Sequence, residues 1–315
     1  MNLQDLSDRY ERWLSTTQDL SEHTVRAYMA DAFALQVFLG AGFDPRELSP
    51  KDLYGFVEHL TLAERKSSTI RRRLSGVRRF CTWMKSEDVL GEDPAQELTV
   101  RFSHERRLPR AVSRSDLSRL LEYLALAADL RTGTAGPCTG RNRSSATTTL
   151  LAVLLMVGTG VRVAELTTTR VTDVDLPSRT IRVAGKGRRE RMVYLSNDFI
   201  VALLNAYVER RGLDFGCHAP LLENRSGNPL TPSAVRGRLE RAGTAAGIPV
   251  RITPHMLRHT AATQLIEAGV DIRFVQRLLG HASLTTTEIY THVADRSLRH
   301  AITEADVIGS FLTLR

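Results

Sequence analysis

Apolar residues recur at helical spacing through the first hundred positions of this chain, lapse between Glu97 and about Val112, and then resume. That lapse constrains the architecture most, because a segment without an apolar stripe has no face to bury. Two separately packed bodies are expected, residues 1–100 and 113–315, joined by a basic, Pro-containing linker at 101–112. The length agrees, since 315 residues at roughly 150 per domain give about two domains.

Leu3, Leu6, Tyr10 and Leu14 mark a first helix, and Ser21 can cap a second that carries Val25, Tyr28, Leu35, Phe38 and Leu39. Ser49 with Pro50 is a cap and first-turn pair for a third, with Leu53, Phe56, Val57 and Leu60 on its apolar face. A fourth starts near Ser68, with Ile70, Leu74, Val77, Phe80, Cys81 and Met84 in one stripe. Arg71, Arg72, Arg73, Arg78 and Arg79 occupy much of its remaining circumference, with no acid nearby in sequence. This helix is a candidate to lie along a phosphate backbone, which Arg106 and Arg107 of the linker could also cross. The other reading is a solvated arginine face.

Beyond the linker, Ser113 and Asp116 sign the start of a helix with Leu117, Leu120, Leu121 and Leu124 on one side. Residues 131–146, RTGTAGPCTGRNRSSA, lack periodicity and read as a mobile surface loop. The apolar helix TLLAVLLMVG ends at Gly158 and Gly160, and TGVRVAEL opens another with Arg162 in its first turn. VTDVDL, TIRVAG and RERMVYL alternate as short strands, and GKGRR turns between the last two, so Lys186 projects from a hairpin tip. Asn197, Thr231 with Pro232, Thr253 with Pro254, Asp271 and Ser283 then start helices, the last reaching Tyr290. The expected fold class is mainly α with a small antiparallel β-sheet.

Composition removes several function classes. With 43 Lys and Arg against 35 Asp and Glu the formal charge is +8, which favours a polyanionic partner. Cys81, Cys138 and Cys217 are odd in number, widely separated and without CxxC spacing, so neither a disulfide framework nor a zinc site is implied and a reducing cytoplasm fits. The first residues lack a cationic segment followed by an apolar one, and no 18-residue apolar run occurs, which argues against secretion and membrane spanning. His255 and His259 stand four apart as zinc ligands can, but no Glu adjoins His255 and Arg258 would repel a cation, so no metal is expected.

Six positions carry chemistry in order: Arg162, Lys186, His255, Arg258, His281 and Tyr290. His255 and Arg258 are three apart on one helix face near its N-terminus, where free amides favour an anion. A tyrosine with a pKa near 10 is ionised to about one part in a thousand at neutral pH, so attack on phosphorus needs help that nearby guanidiniums supply. Their forked donors suit the equatorial oxygens of pentacoordinate phosphorus and can replace metal ions. A lysine desolvated among cations can protonate a leaving sugar oxygen, a role that fits Lys186. Each residue also has a plainer reading: Arg162 as a helix-start arginine paired with Glu165, Lys186 as a solvated turn residue, His281 as a helix end and Tyr290 as packing.

TGVRVAEL, GKGRRER, HMLRHT, LLGH and Tyr290, in that order and with those gaps, resemble the motifs of the tyrosine recombinase (phage integrase) family, especially its compact Xer-type members. LSEHTVRAYMADAFALQVFL and STIRRRLSGVRRFCTWM are similar to the family's N-terminal core-binding, SAM-like domain, and LLENRSGNPLT resembles its connector. The resemblance implies a two-domain clamp on duplex DNA in which Arg162, Arg258 and His281 bind the scissile phosphate. Lys186 would be the general acid, His255 would assist proton transfer, Glu165 would support Arg162, and Tyr290 would form a 3′-phosphotyrosyl bond. No cofactor, metal or ATP is implied. The implied partners are duplex DNA with paired inverted half-sites and further protomers, a dimer on one site and a tetramer in synapsis through a Holliday junction, or a partner recombinase. No membrane is involved, and the implied location is cytoplasmic, with the nucleoid. The segment at 131–146 is longer than compact members usually carry, and the arm-binding domain of larger phage integrases has no counterpart. Leu298, Ile302, Val307, Ile308, Phe311 and Leu312 in the tail at 297–315 suggest docking on a neighbouring subunit, the alternative being packing on its own domain. That tail argues against a type IB topoisomerase, which relaxes supercoils as a monomer. The complete residue set argues against a catalytically silent DNA-binding regulator.

Overall fold

The computed structural model describes residues 3–18, 20–100, 111–130, 141–185, 190–210, 219–279 and 302–309. Its contacts divide the chain into two compact units, Met1–Arg106 and Arg107–Arg315.

In the first unit α1 (Leu3–Thr16), α2 (Glu22–Leu39), α3 (Pro50–Leu62) and α4 (Ser67–Ser86) begin where local chemistry starts them. The Ser21 side chain accepts from the Thr24 amide, and Asp52 takes the Ser49 amide at 2.9 Å while Pro50 holds the first turn. The stripe foreseen on α4 is buried at Ile70, Leu74, Val77, Phe80, Cys81 and Met84. Trp83 is buried there too, its ring 5.0 Å from that of Tyr10 and 5.8 Å from that of Phe80. Gly76 lets α4 approach α2 closely, since a Cβ there would come within 2.7 Å of the Asp31 Cβ.

The second unit is built around α6 (Arg141–Thr159), whose residues Leu150 to Val157 are all buried, the pattern of a helix covered on every side. This helix starts earlier than its sequence suggests. Residues 141–146 belong to α6 rather than to a loop, while 131–140 lie outside the described residues. α5 (Arg114–Ala127) and α10 (Pro254–Glu267) pack on α6, and α7 (Val163–Thr168), α8 (Asp198–Arg210), α9 (Pro232–Ala245) and α11 (Ile272–Leu279) are further helices of this unit. β1 (Val174–Asp175), β2 (Thr180–Ala184) and β3 (Glu190–Tyr194) form an antiparallel sheet in the order β1-β2-β3, with Ile181 opposite Val193 and Ala184 opposite Glu190. No helix among the described residues is long and apolar enough to cross a membrane.

The tail corrects an expectation. Ile302, Val307 and Ile308 are buried in the core of their own unit instead of facing a neighbour. Gly158 lies against this stretch, a Cβ on it standing 3.4 Å from Ile308 and 3.2 Å from Ile200, and Asn197 donates to the Asp306 carboxylate at 2.9 Å. Leu298, Phe311 and Leu312 lie outside the described residues.

Candidate active site

The site grows from the turn that ends α6. Gly160 has φ +66°, a left-handed conformation that costs glycine little, and the chain then extends through Arg162 into α7. Glu165, in the first turn of α7, folds back on that turn: its Oε2 accepts from the Arg162 amide at 2.7 Å and its Oε1 from Arg162 Nη1 at 2.8 Å. Arg191 on β3 grips the same carboxylate with a fork, Nη1 to Oε1 at 2.7 Å and Nη2 to Oε2 at 2.9 Å. Its Nε donates to the main-chain oxygen of Leu278, near the end of α11, at 2.9 Å. Burial raises the pKa of Glu165, but the hydrogen bonds from Arg191 and from the Arg162 amide, with the charge of Arg191, outweigh it and hold the carboxyl below its ordinary value.

Arg258, in the second turn of α10, is buried, and its guanidinium is received by main chain: Nη1 donates to the Gly160 oxygen at 2.6 Å and Nη2 to the Leu279 oxygen. Among the described residues two of its five N–H donors are engaged, both by main-chain oxygens. Burial first, then the charge of Arg162, pushes its pKa down to about 10, with Glu165 opposing and Arg191 adding to the shift. It remains cationic at neutral pH. His255 stands exposed in the first turn of the same helix, which Thr253 caps by accepting from the Met256 amide. Three guanidiniums around one carboxylate leave an excess of positive charge that a phosphate group would neutralise.

The structure thus brings Arg162, Glu165 and Arg258 together. Lys186, His281 and Tyr290 lie outside the described residues, although the strands flanking the Lys186 turn and the helix ending two residues before His281 are in place. Arg191 is the member that sequence reasoning missed. It shares a strand face with buried Val193, and a charged residue at an inward strand position calls for a buried carboxylate.

On α4 it is the expectation of no nearby acid that needs correction. Arg72 is forked onto Asp31 of α2, Nη1 to Oδ2 at 2.8 Å and Nη2 to Oδ1 at 2.6 Å, so an acid is present after all. Arg78 donates to the Leu98 oxygen at 2.6 Å. Arg79 reaches Gln18 at 2.6 Å and lies 5.4 Å from the ring centres of Trp13 and of Tyr28. Arg73 is half-buried and Arg71 exposed, while Arg106 and Arg107 lie outside the described residues.

Comparison with known proteins bears on this arrangement. The phage integrase family profile matches residues 136–297, and that of the phage integrase N-terminal SAM-like domain matches residues 7–88. The tyrosine recombinase XerC of Mycobacterium bovis is 37% identical over 304 residues, covering 94% of this chain and 97% of its own. That of Neisseria gonorrhoeae is 33% identical over 277 residues, covering 86% and 85%. Among solved structures, XerH recombinase bound to a palindromic difH substrate aligns with a TM-score of 0.67 at 23% identity, covering 94% of this chain and 83% of that one. A lambda integrase dimer bound to a COC' core site aligns at 0.66 and 19% identity, covering 92% and 100%. The arginines gathered on Glu165 fall within a profile match that spans just over half of the chain, and relatives at this identity extend along nearly all of it, so the chain belongs to the phage integrase family of tyrosine recombinases.

Proposed function

We propose that this protein is a site-specific DNA recombinase that cleaves and rejoins duplex DNA through a covalent bond to Tyr290. What supports the reading is the pair of cations Arg162 and Arg258 beside Glu165, a carboxylate that Arg191 holds in place from β3. Arg162 and Arg258 hold the non-bridging oxygens of one phosphodiester, and His281 adds a further donor. The Tyr290 oxygen attacks phosphorus, its proton passing on with the help of His255, and a new P–O bond forms as the bond to the 5′-oxygen breaks. Lys186 protonates that oxygen as it leaves. The 3′-phosphotyrosine keeps the energy of the broken ester, so an incoming 5′-hydroxyl reverses the step and releases the tyrosine. Neither ATP nor a metal enters the balance.

Lambda integrase, which shares the fold, is known as a dimer on a core site and as a tetramer on a Holliday junction. The same assembly is proposed here: two protomers on inverted half-sites and four in synapsis, with a second recombinase replacing some of them where a partner exists.

A nicked suicide duplex tests the chemistry. The native chain should be trapped on a 3′ phosphate, and Tyr290→Phe should bind without trapping; a covalent complex persisting in that variant would remove Tyr290 from its role. A plasmid carrying two target sites separates recombination from relaxation. Exchange between the sites is expected, and relaxation without exchange would instead favour a topoisomerase.

A further inference from the structure

Thr260 is buried on α10, two residues beyond Arg258, and takes no part in the chemistry proposed above. Its hydroxyl is used twice. Oγ1 donates to the main-chain oxygen of Met256, one turn earlier, at 2.8 Å, which fixes the side-chain rotamer, and it accepts from the Val112 amide at 2.8 Å. Val112 is a firm post for that bond. Its side chain is buried in the same core as Leu257 and Leu265, and α5 begins directly after it, with Ser113 as cap. The tie joins residues 148 positions apart.

The composition of α10 gives this tie its importance. Met256, Leu257, Ala261, Ala262, Leu265 and Ile266 lie on several sides of the helix, so no single apolar stripe sets its rotation about its own axis. Ile266 is left 46% exposed. Apolar packing is non-directional, whereas a hydrogen bond holds only near its preferred distance and angle. α10 has such bonds at both margins of its buried face. At about 3.6 residues per turn, Arg258 and Thr260 stand about 160° apart, with buried Leu257, Ala261 and Leu265 between them. Arg258 is seated on the oxygens of Gly160 and Leu279, and Thr260 on the amide of Val112. A turn of the helix that breaks one seat shifts the other.

We infer that Thr260 is a positioning residue for DNA cleavage: its bond to the Val112 amide sets the rotation of α10 and with it the aim of Arg258. This rests on the reading of Arg258 as a holder of the scissile phosphate. Thr260 is buried and acts through Arg258 rather than on the reacting atoms. A displacement of an ångström in a positioned group costs about a hundredfold in rate. Affinity for a duplex is spread over many phosphate contacts and hardly registers the same displacement. The plainer role, satisfying a buried amide for stability alone, would leave the rate of a folded variant unchanged.

Covalent attachment to a saturating nicked suicide duplex is timed for the full chain, for Thr260→Val and for Thr260→Ser, and duplex affinity is measured beside it with Tyr290→Phe added. A further variant carries an ester in place of the Val112 amide, introduced as the α-hydroxy acid of valine, which removes the N–H and keeps both side chains. Thr260→Val and the ester should each slow attachment by at least about tenfold while affinity stays at the native level. Thr260→Ser, which keeps the acceptor, should cleave near the native rate. Thr260→Val combined with the ester should be no slower than the worse of the two, because both remove one bond. Native-rate attachment by Thr260→Val or by the ester would overturn the inference, as would affinity falling as far as rate or a serine variant as slow as valine. If Thr260→Val fails to fold, the ester decides alone, since it strands no buried N–H. A native chain that binds duplex yet never becomes covalently attached would refute the functional reading instead. Hydrogen exchange of the DNA-free chain then judges the tie: Thr260→Val and the ester should both speed exchange of the α10 amides, and unchanged exchange would overturn it.

Discussion

A carboxylate that takes four hydrogen bonds from two arginines, as Glu165 does, is held by its charge. Because its pKa is depressed, its contribution to stability is complete above the unfolded value of about 4.5 and is lost as pH falls through the lower folded value. The difference in unfolding free energy between the native chain and Glu165→Gln should therefore be flat near neutrality and shrink below about pH 4.5, read from urea titrations at each pH. A gap that stays constant down to pH 3 would contradict the assignment. Glu165→Ala, which strands two arginines, should cost about 3–5 kcal/mol at pH 7. Arg191 positions Glu165 and the end of α11 without being placed at the reacting atoms. Replacing it by Met should slow cleavage by about a hundredfold while duplex affinity changes little, the effect of a small misplacement of the reacting groups. Lys should restore only part of that rate, since one ammonium cannot hold both oxygens and the Leu278 carbonyl. Affinity falling as far as rate would make Arg191 a binding residue. Arg162, Arg258 and Glu165 were legible in sequence because their motifs are local runs. Arg191 was not, because its partner lies 26 positions away, and only the sheet register brings the two together.

At the scale of elements, helix starts were the readable part. Ser21, Ser113, Thr231 and Thr253 each receive a main-chain amide at the helix they were expected to open, because a cap acts within three residues. The start of α6 was not readable, since Arg141 to Ala146 offers neither cap nor apolar stripe. The pairing of α2 with α4 was equally hidden, as Asp31 and Arg72 are 41 positions apart and an isolated reading of α4 finds only cations. Asp31 is buried, and desolvation raises its carboxyl above the usual range although Arg72 pulls the other way. This contact depends on Gly76. Gly76→Ala should place a methyl against Asp31, force the helices apart and cost about 1–3 kcal/mol, measured as a lower urea midpoint with an unchanged slope. An unaltered midpoint would mean that α2 and α4 separate freely.

On the scale of the whole molecule, two cores share no residue, one around Tyr10, Phe56 and Trp83 and the other around Leu154 and Leu257. Calorimetry should then resolve two transitions. Phe80→Ala, at about 3–5 kcal/mol, should lower one, and Leu154→Ala, at about 2–5 kcal/mol, the other. A single transition moved by both substitutions would show one cooperative body. Within the second unit, burial of Ile302, Val307 and Ile308 makes the stretch after the tyrosine segment part of that unit's own stability. The receptor of Arg258 adds a different kind of coupling. It consists of two main-chain oxygens, at Gly160 and Leu279, so replacing the Leu279 side chain leaves its oxygen in place, and alanine scanning passes over it unseen. Only displacement of the chain itself can open this latch. Leu279 stands eleven residues before Tyr290, so any rearrangement that shifts the end of α11 frees a prong of Arg258 and, on the proposed roles, gears the phosphate's holder to the stretch of chain that leads to the nucleophile.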